Sequence, residues 1–312
     1  MKWCTALARD GSPRPAIVVG DQLHLLAGDA QLIDLLGVAD GLVEAAEQAL
    51  RAPAEVVALA DARLLAPISA PPSIRDFMAF EEHVVTSSVA LGQQVNPDWY
   101  EIPVFYFTNP AAVHSATADV RISPGSNAFD YELEIAAVIG TGGSDLDPAT
   151  AAEHIAGYML LCDWSARDLQ GREMKQMLGP AKGKDSATSF GPFLVTPEEL
   201  AEHRSGSAYD ISMRAYRNGE LYSSGNLADL YWSFGQMLAY ASRGTRLVPG
   251  DVIGSGTVGT GCILELSRVH GQEKYPYLKA GDTVRLEADE LGAIEATMLP
   301  AAEPIPLGKA RA

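Results

Sequence analysis

Between residues 131 and 299 glycine and proline cut the chain into short alternating runs, and that spacing decides the fold class. Tyr131 to Gly140 alternates and then turns apolar, and Ile211 to Tyr216 alternates. Arg246-Leu247-Val248 runs through a Pro249-Gly250-Asp251 turn into Val252-Ile253. Ile263 to Val269 and Thr283 to Glu287 are further strand candidates, and Asp289-Glu290-Leu291-Gly292 turns the chain into a last strand near Ile294 to Leu299. A few helices are predicted between them, the best with Leu227, Leu230, Tyr231, Phe234, Met237, Leu238 and Ala241 on one face and Gly244 placed to stop it. Many short strands with few helices point to a β-rich α+β fold, a roll or sandwich and not a doubly wound sheet.

The leading residues read as a separate unit. Ala16 to Val19 and Gln22 to Leu26 are joined by Gly20-Asp21, a hairpin signal, and a helix follows with Leu42, Ala45, Ala46 and Ala49 at helical spacing. The Pro-rich stretch from Ala66 to Pro72 breaks the pattern. The chain therefore divides into a small N-terminal α+β domain, 1–70, and a larger domain, 71–312. A net charge of −17 argues against nucleic acid and anionic membrane as partners. Met1 to Asp10 does not read as a secretory signal, and Cys4, Cys162 and Cys262 are scattered without zinc spacing. A cytoplasmic protein is expected.

Two motifs mislead. Gly254-Ser255-Gly256-Thr257-Val258-Gly259 matches a dinucleotide fingerprint, but that motif needs a helix directly after it, and Cys262 to Leu266 alternates like a strand. Gly183-Lys184-Asp185 resembles a P-loop, yet position 178 is Leu where a glycine is required.

The chemistry concentrates in Asp130-Tyr131-Glu132-Leu133-Glu134 and the apolar residues after it. On a strand Glu132 and Glu134 share a face with Ala136 and Val138, which call for burial. Two carboxylates at the edge of an apolar face repel each other and resist desolvation, and a bound cation relieves both costs. A third acid, Asp163, ends the apolar run Gly157 to Cys162. Oxygen ligands without His or Cys suit Mg²⁺, Mn²⁺ or Ca²⁺. Ser165 with Asp168 reads as a capping-box helix start, which puts Arg167 and Gln170 on one face just beyond Asp163.

Together, DYELEIAAVIG at 130–140, CDWSARDLQ at 162–170, LGPAKGK at 178–184, GSGT at 254–257 and LEL at 264–266 resemble the fumarylacetoacetate hydrolase family, over about Ile74 to Leu299. The resemblance implies a mixed β-sandwich roll, usually dimerised, with residues 71–312 as the catalytic domain. It implies that Glu132, Glu134 and Asp163 bind one divalent cation, Mg²⁺ first, with Mn²⁺ and Ca²⁺ as alternatives. Arg167, Gln170 and Lys184 would stabilise an oxyanion. Tyr106 would hold a substrate carboxylate, Thr257 would lie on a closing loop, and His83 with Glu265 would activate water. Longer members carry one more metal-ligating Asp shortly before the histidine; this chain has Ala79 there, and Asp76 is out of register, so three protein carboxylates are expected.

The implied reaction is hydrolysis of a carbon–carbon bond in a β-diketo acid of the acylpyruvate or fumarylacetoacetate type, as in aromatic catabolism. Two other readings remain open. One is a lyase or isomerase on the same fold, such as an oxaloacetate decarboxylase, a hydratase or a 2-hydroxy-dienoate isomerase. The other is an inactive relative that binds a metabolite. From Asp76 to Val120 there is no Lys or Arg, while Phe77, Met78, Phe80, Trp99, Tyr100, Phe105 and Phe107 are supplied. That composition favours a neutral acyl tail over a second carboxylate.

Overall fold

In the computed structural model, which describes residues 1–90 and 92–308, the Leu133–Ile139 strand is the axis of the molecule. Every residue in it is buried, and its alternate side chains feed different cores. Leu133, Ile135, Ala137 and Ile139 join one cluster with Phe129, Leu160, Trp164 and Leu286. Ala136 and Val138 join another with Trp3, Met159, Leu161 and Phe190. A strand covered on both faces has no polar side to advertise, which is why the strand after Glu134 is wholly apolar.

The larger sheet runs, in spatial order, Glu55–Ala58, Gln22–Leu25, Pro13–Val19, Lys2–Leu7, Leu194–Val195, Ile155–Asp163, Leu133–Ile139, Val252–Gly254, Ile74–Phe77 and Phe105–Thr108. It is mixed: Leu133–Ile139 pairs antiparallel with both neighbours, whereas Val252–Gly254 runs parallel to Ile74–Phe77. A second sheet, Glu220–Asn226, Ser212–Arg217, Thr283–Ala288, Gly292–Leu299 and Val120–Arg121, closes the larger core with Met213, Ala215, Val284, Leu286, Ile294 and Met298. The architecture is the β-rich α+β roll expected. No helix among the described residues is long and apolar enough to cross a membrane.

The predicted hairpin forms, with Val18 opposite Leu23 and Val19 opposite Gln22, and the helix Gly41–Arg51 buries Ala45, Ala46 and Ala49. Trp3 pairs with Leu194, so the leading strands extend the larger sheet, while Cys4, Ala16, Leu23 and Leu25 keep a small apolar cluster of their own.

Three local expectations are corrected. Ile263–His270 is an α-helix, not a strand. Its first two amides, at Ile263 and Leu264, donate to the Asp130 carboxylate at 2.8 and 3.0 Å, so a distant acid caps it. The helix predicted across Leu227 to Ala241 is broken into a 3₁₀ turn, Leu227–Asp229, and a helix, Phe234–Ala241. The backbone amides of Tyr231 and Trp232 donate to the Ala79 carbonyl, which pulls the chain out of helical form. Ser233 and Gln236 then restart it with a reciprocal cap. Finally, Ser165 does not cap a helix: it sits in a short strand, and Ala166 stands at the N-cap of Arg167–Met174. Asp168 instead accepts from the Ser126 hydroxyl and the Asn127 amide.

Candidate active site

The strand order brings acids from distant segments side by side. Glu134 lies opposite Leu161 in the strand that ends at Asp163, and Asp76 lies opposite both Gly254 and Tyr106. Glu132, just before the central strand, bridges to Cys262. Asp76, Glu132, Glu134 and Asp163 are all buried. The sequence reading of Asp76 as out of register is corrected by the parallel pairing with Gly254, which aims it into the cluster. One carboxylate oxygen from each of Asp76, Glu132 and Glu134 lies within 4.8 Å of the others. Gly254 makes this approach feasible, because a Cβ there would stand 2.4 Å from Asp76 Oδ1 and 3.3 Å from Glu134 Oε2.

Two cations face these four acids. Lys184 Nζ donates to Asp163 Oδ2 at 2.7 Å and also to Glu132. Arg167 pairs with Glu132 and Asp130, each at 2.8 Å, and donates to Gln170 Oε1 at 3.2 Å. Lys184 is carried here by Gly183, whose missing side chain lets the loop press against Gln170, at 2.7 Å from an added Cβ. The Tyr106 hydroxyl donates to Asp76 Oδ2 at 3.1 Å and also contacts Asp163. Thr257 Oγ1 approaches Glu134 Oε1 at 3.4 Å.

Charge remains uncompensated. Asp76 Oδ1, Glu134 Oε2 and Asp163 Oδ1 are buried with no hydrogen-bond partner. Burial, reinforced by the neighbouring acids, raises the Glu134 carboxyl well above its usual range, and burial also raises Asp76. Burial pushes Asp163 up to about 8 in spite of Lys184. Glu132 goes the other way: burial opposes its charge, but Arg167 and Lys184 outweigh it. Bare, buried carboxylate oxygens with depressed acidity are what a hard divalent ion would satisfy, so the donor set fits one.

Beside this cluster His83 Nδ1 lies 2.8 Å from Glu265 Oε2, both buried. Burial works against a proton on His83, yet the Glu265 carboxylate prevails and raises its pKa above the ordinary 6.5. The structure thus gathers Tyr106, Glu132, Glu134, Asp163, Arg167, Gln170, Lys184 and Thr257 at one place, with the His83–Glu265 pair beside them. Sequence reasoning missed two members. Asp76 was hidden because its position depends on a parallel pairing. Asp130 opens the same motif as Glu132 and holds both Arg167 and the helix that presents Glu265.

The loop Gly254–Gly259 is followed by a helix after all, but it is filled by protein: a Cβ at Gly256 would lie 2.3 Å from the Phe77 carbonyl, and one at Gly259 2.3 Å from Glu82 Oε2.

A family model described as fumarylacetoacetate (FAA) hydrolase, C-terminal, matches residues 73–299. A fumarylacetoacetase from Arabidopsis thaliana is 32% identical over 221 residues, 55% of this chain and 52% of that enzyme, so the chain spans about half its length. A mitochondrial oxaloacetate tautomerase (fahd2) from Xenopus laevis is 29% identical over 91% of this chain and 86% of that protein. Among solved structures, a fumarylacetoacetate hydrolase from Exiguobacterium antarcticum aligns with a TM-score of 0.72 at 25% identity, covering 96% of this chain and 99% of that one. A maleylpyruvate hydrolase from Sphingobium sp. SYK-6, solved with manganese(II) and pyruvate, shares the fold at 23% identity, with a TM-score of 0.71 over 97% of this chain and 100% of that one.

Proposed function

The chain belongs to the fumarylacetoacetate hydrolase family, and from that premise we propose that it hydrolyses a carbon–carbon bond in a β-diketo acid, an acylpyruvate in particular, with a divalent cation. The observation that carries this reading is the buried His83–Glu265 pair, 2.8 Å apart, next to a cluster of under-compensated acids. Asp76, Glu132 and Glu134 would hold the cation, with Asp163 as the further ligand. The cation would supply Lewis-acid stabilisation to the negative charge that develops on the diketo group. Glu265 fixes Nδ1 of His83, so Nε2 takes the proton from the water that adds to the acyl carbonyl. Lys184 and Arg167 offer N–H donors to the resulting oxyanion, and Gln170 orients Arg167. The bond to the methylene carbon then breaks, its electron pair leaves with the pyruvate fragment, and that fragment takes up a proton. The acyl group departs as a carboxylic acid. Tyr106, on the Asp76–Asp163 side, is the group assigned to the substrate carboxylate, and Thr257 steadies Glu134.

This reading also takes residues 1–70 as a leading unit and 71–312 as the catalytic one, supported by the separate apolar cluster around Cys4 and Leu23. It takes the resident ion as Mg²⁺, with Mn²⁺ or Ca²⁺ able to replace it, in a cytoplasmic homodimer. Turnover of acylpyruvates in ¹⁸O-water with added Mg²⁺ tests it: the label should enter the released carboxylic acid. A tautomerase is the second reading, favoured by the Xenopus relative, which matches 91% of this chain. Keto–enol interconversion of oxaloacetate without any cleavage of acylpyruvates would establish that reading in place of ours.

A further inference from the structure

Cys262 has no part in the chemistry above, yet its thiol lies 3.4 Å from Glu265 Oε2, the same oxygen that meets His83. Cys262 is the N-cap of the Ile263–His270 helix and Glu265 its third residue, so the two side chains rise on one side of the first turn. His83 comes from the Glu81–Ala90 helix, which packs against that turn. A ring nitrogen, a sulfur and a carboxylate oxygen, all buried, therefore lie within 4.8 Å of one another. The Thr260 amide holds the other Glu265 oxygen at 3.3 Å, leaving Oε2 turned towards the histidine and the thiol. The charges that act on Cys262 and His83 include Asp130 and Glu132 beside Arg167.

We propose that His83, Cys262 and Glu265 form a second metal site, selective for a thiophilic ion such as Zn²⁺ or Cd²⁺, and that its occupancy shuts the enzyme off. The two sites differ in hardness. The acid cluster offers only oxygen and suits Mg²⁺ or Mn²⁺, whereas a set of nitrogen, sulfur and oxygen donors suits zinc. Coordination expels the thiol proton to water, with any proton on His83, and leaves the imidazole bonded to metal and unable to take a proton from water. Capture of the ion does not depend on what the protein catalyses; the inhibition does rest on the reading of His83 as the base.

Cadmium distinguishes the two. Protein loaded with Mg²⁺ is titrated with Cd²⁺, following the ultraviolet charge-transfer absorption of a cadmium thiolate, and acylpyruvate turnover is read on the same samples. One equivalent should give the band and abolish turnover. Cys262→Ser, whose hydroxyl still donates to Glu265, should lose the band and raise the inhibitory Zn²⁺ concentration by at least the roughly 10–100-fold that loss of an outer-shell partner costs. His83→Ala should weaken the band, and Glu134→Gln should leave it intact. No band at one equivalent in the wild type, or a band undiminished in both Cys262→Ser and His83→Ala, overturns the site, since Cys4 or Cys162 would then be its source. A band with turnover unaffected supports the site and removes His83 from catalysis.

Discussion

Stripping the metal should destabilise the protein by an amount the acid cluster sets. An ion that binds only the folded chain, present at 100 times its dissociation constant, adds about 2.7 kcal/mol. At roughly 2.1 cal/mol/K per residue, 312 residues give an unfolding entropy of about 0.65 kcal/mol/K. Mg²⁺ or Mn²⁺ should therefore raise Tm by about 4 °C over the protein in excess chelator. The shift should grow with pH. Asp76, Glu134 and Asp163 have folded pKa values above their usual ones, so in chelator their contribution is fully present below about pH 4 and is lost as pH rises, for Asp163 through about 8. Glu132, whose pKa is lowered, contributes above its usual value of 4.5 and does not change between pH 6 and 8. Glu134→Gln should separate the two effects: it removes one repelling carboxylate, so Tm in chelator rises, while the metal-dependent increment vanishes. Gly254→Ala, placing a Cβ 2.4 Å from Asp76 Oδ1, should abolish the increment without replacing any ligand residue. Differential scanning fluorimetry at pH 6 and 8, with metal and with chelator, reads all of this. An identical Tm with and without metal in the wild type, or an increment that survives in both variants, refutes the reasoning.

His83→Ala should cost turnover on the order of 10²–10⁴-fold while the metal-dependent Tm increment persists; equal turnover in the two proteins removes the dyad from the mechanism. Because His83 must be neutral to accept a proton and its pKa is raised above 6.5, kcat/KM should fall on the acid side with an apparent pKa above 6.5. Glu265→Gln leaves burial unopposed by that carboxylate and should move this limb to lower pH; a limb that does not move identifies another titrating group. Acylpyruvates with an alkyl or aryl acyl group should be preferred over those ending in a second carboxylate, since residues 76–120 carry no Lys or Arg. A higher kcat/KM for fumarylpyruvate than for an aryl acylpyruvate contradicts this. The preference rests on that missing charge more than on the aromatics, because Phe77, Phe80 and Trp99 are core and Phe107 faces solvent.

The sequence by itself determined several of the strands, the hairpin and which acids stand out. A period of two is visible wherever one face is buried, as in Ser212–Arg217, and the acids at 132, 134 and 163 are conspicuous against apolar neighbours. Tertiary structure decided what depends on a partner far along the chain. Ile263 to Val269 alternates well enough for a strand, but the Asp130 carboxylate, accepting two amides from 133 and 134 residues away, caps it as a helix that presents Glu265 to His83. Leu227 to Ala241 has helical periodicity throughout, but the Ala79 carbonyl takes the amides of Tyr231 and Trp232 and breaks it. Asp76 joins the acids because a parallel strand sets it against Gly254, a pairing that no local spacing encodes. Local pattern fixes which residues can be strand or core. Which carboxylates stand together is set by register between strands distant in sequence.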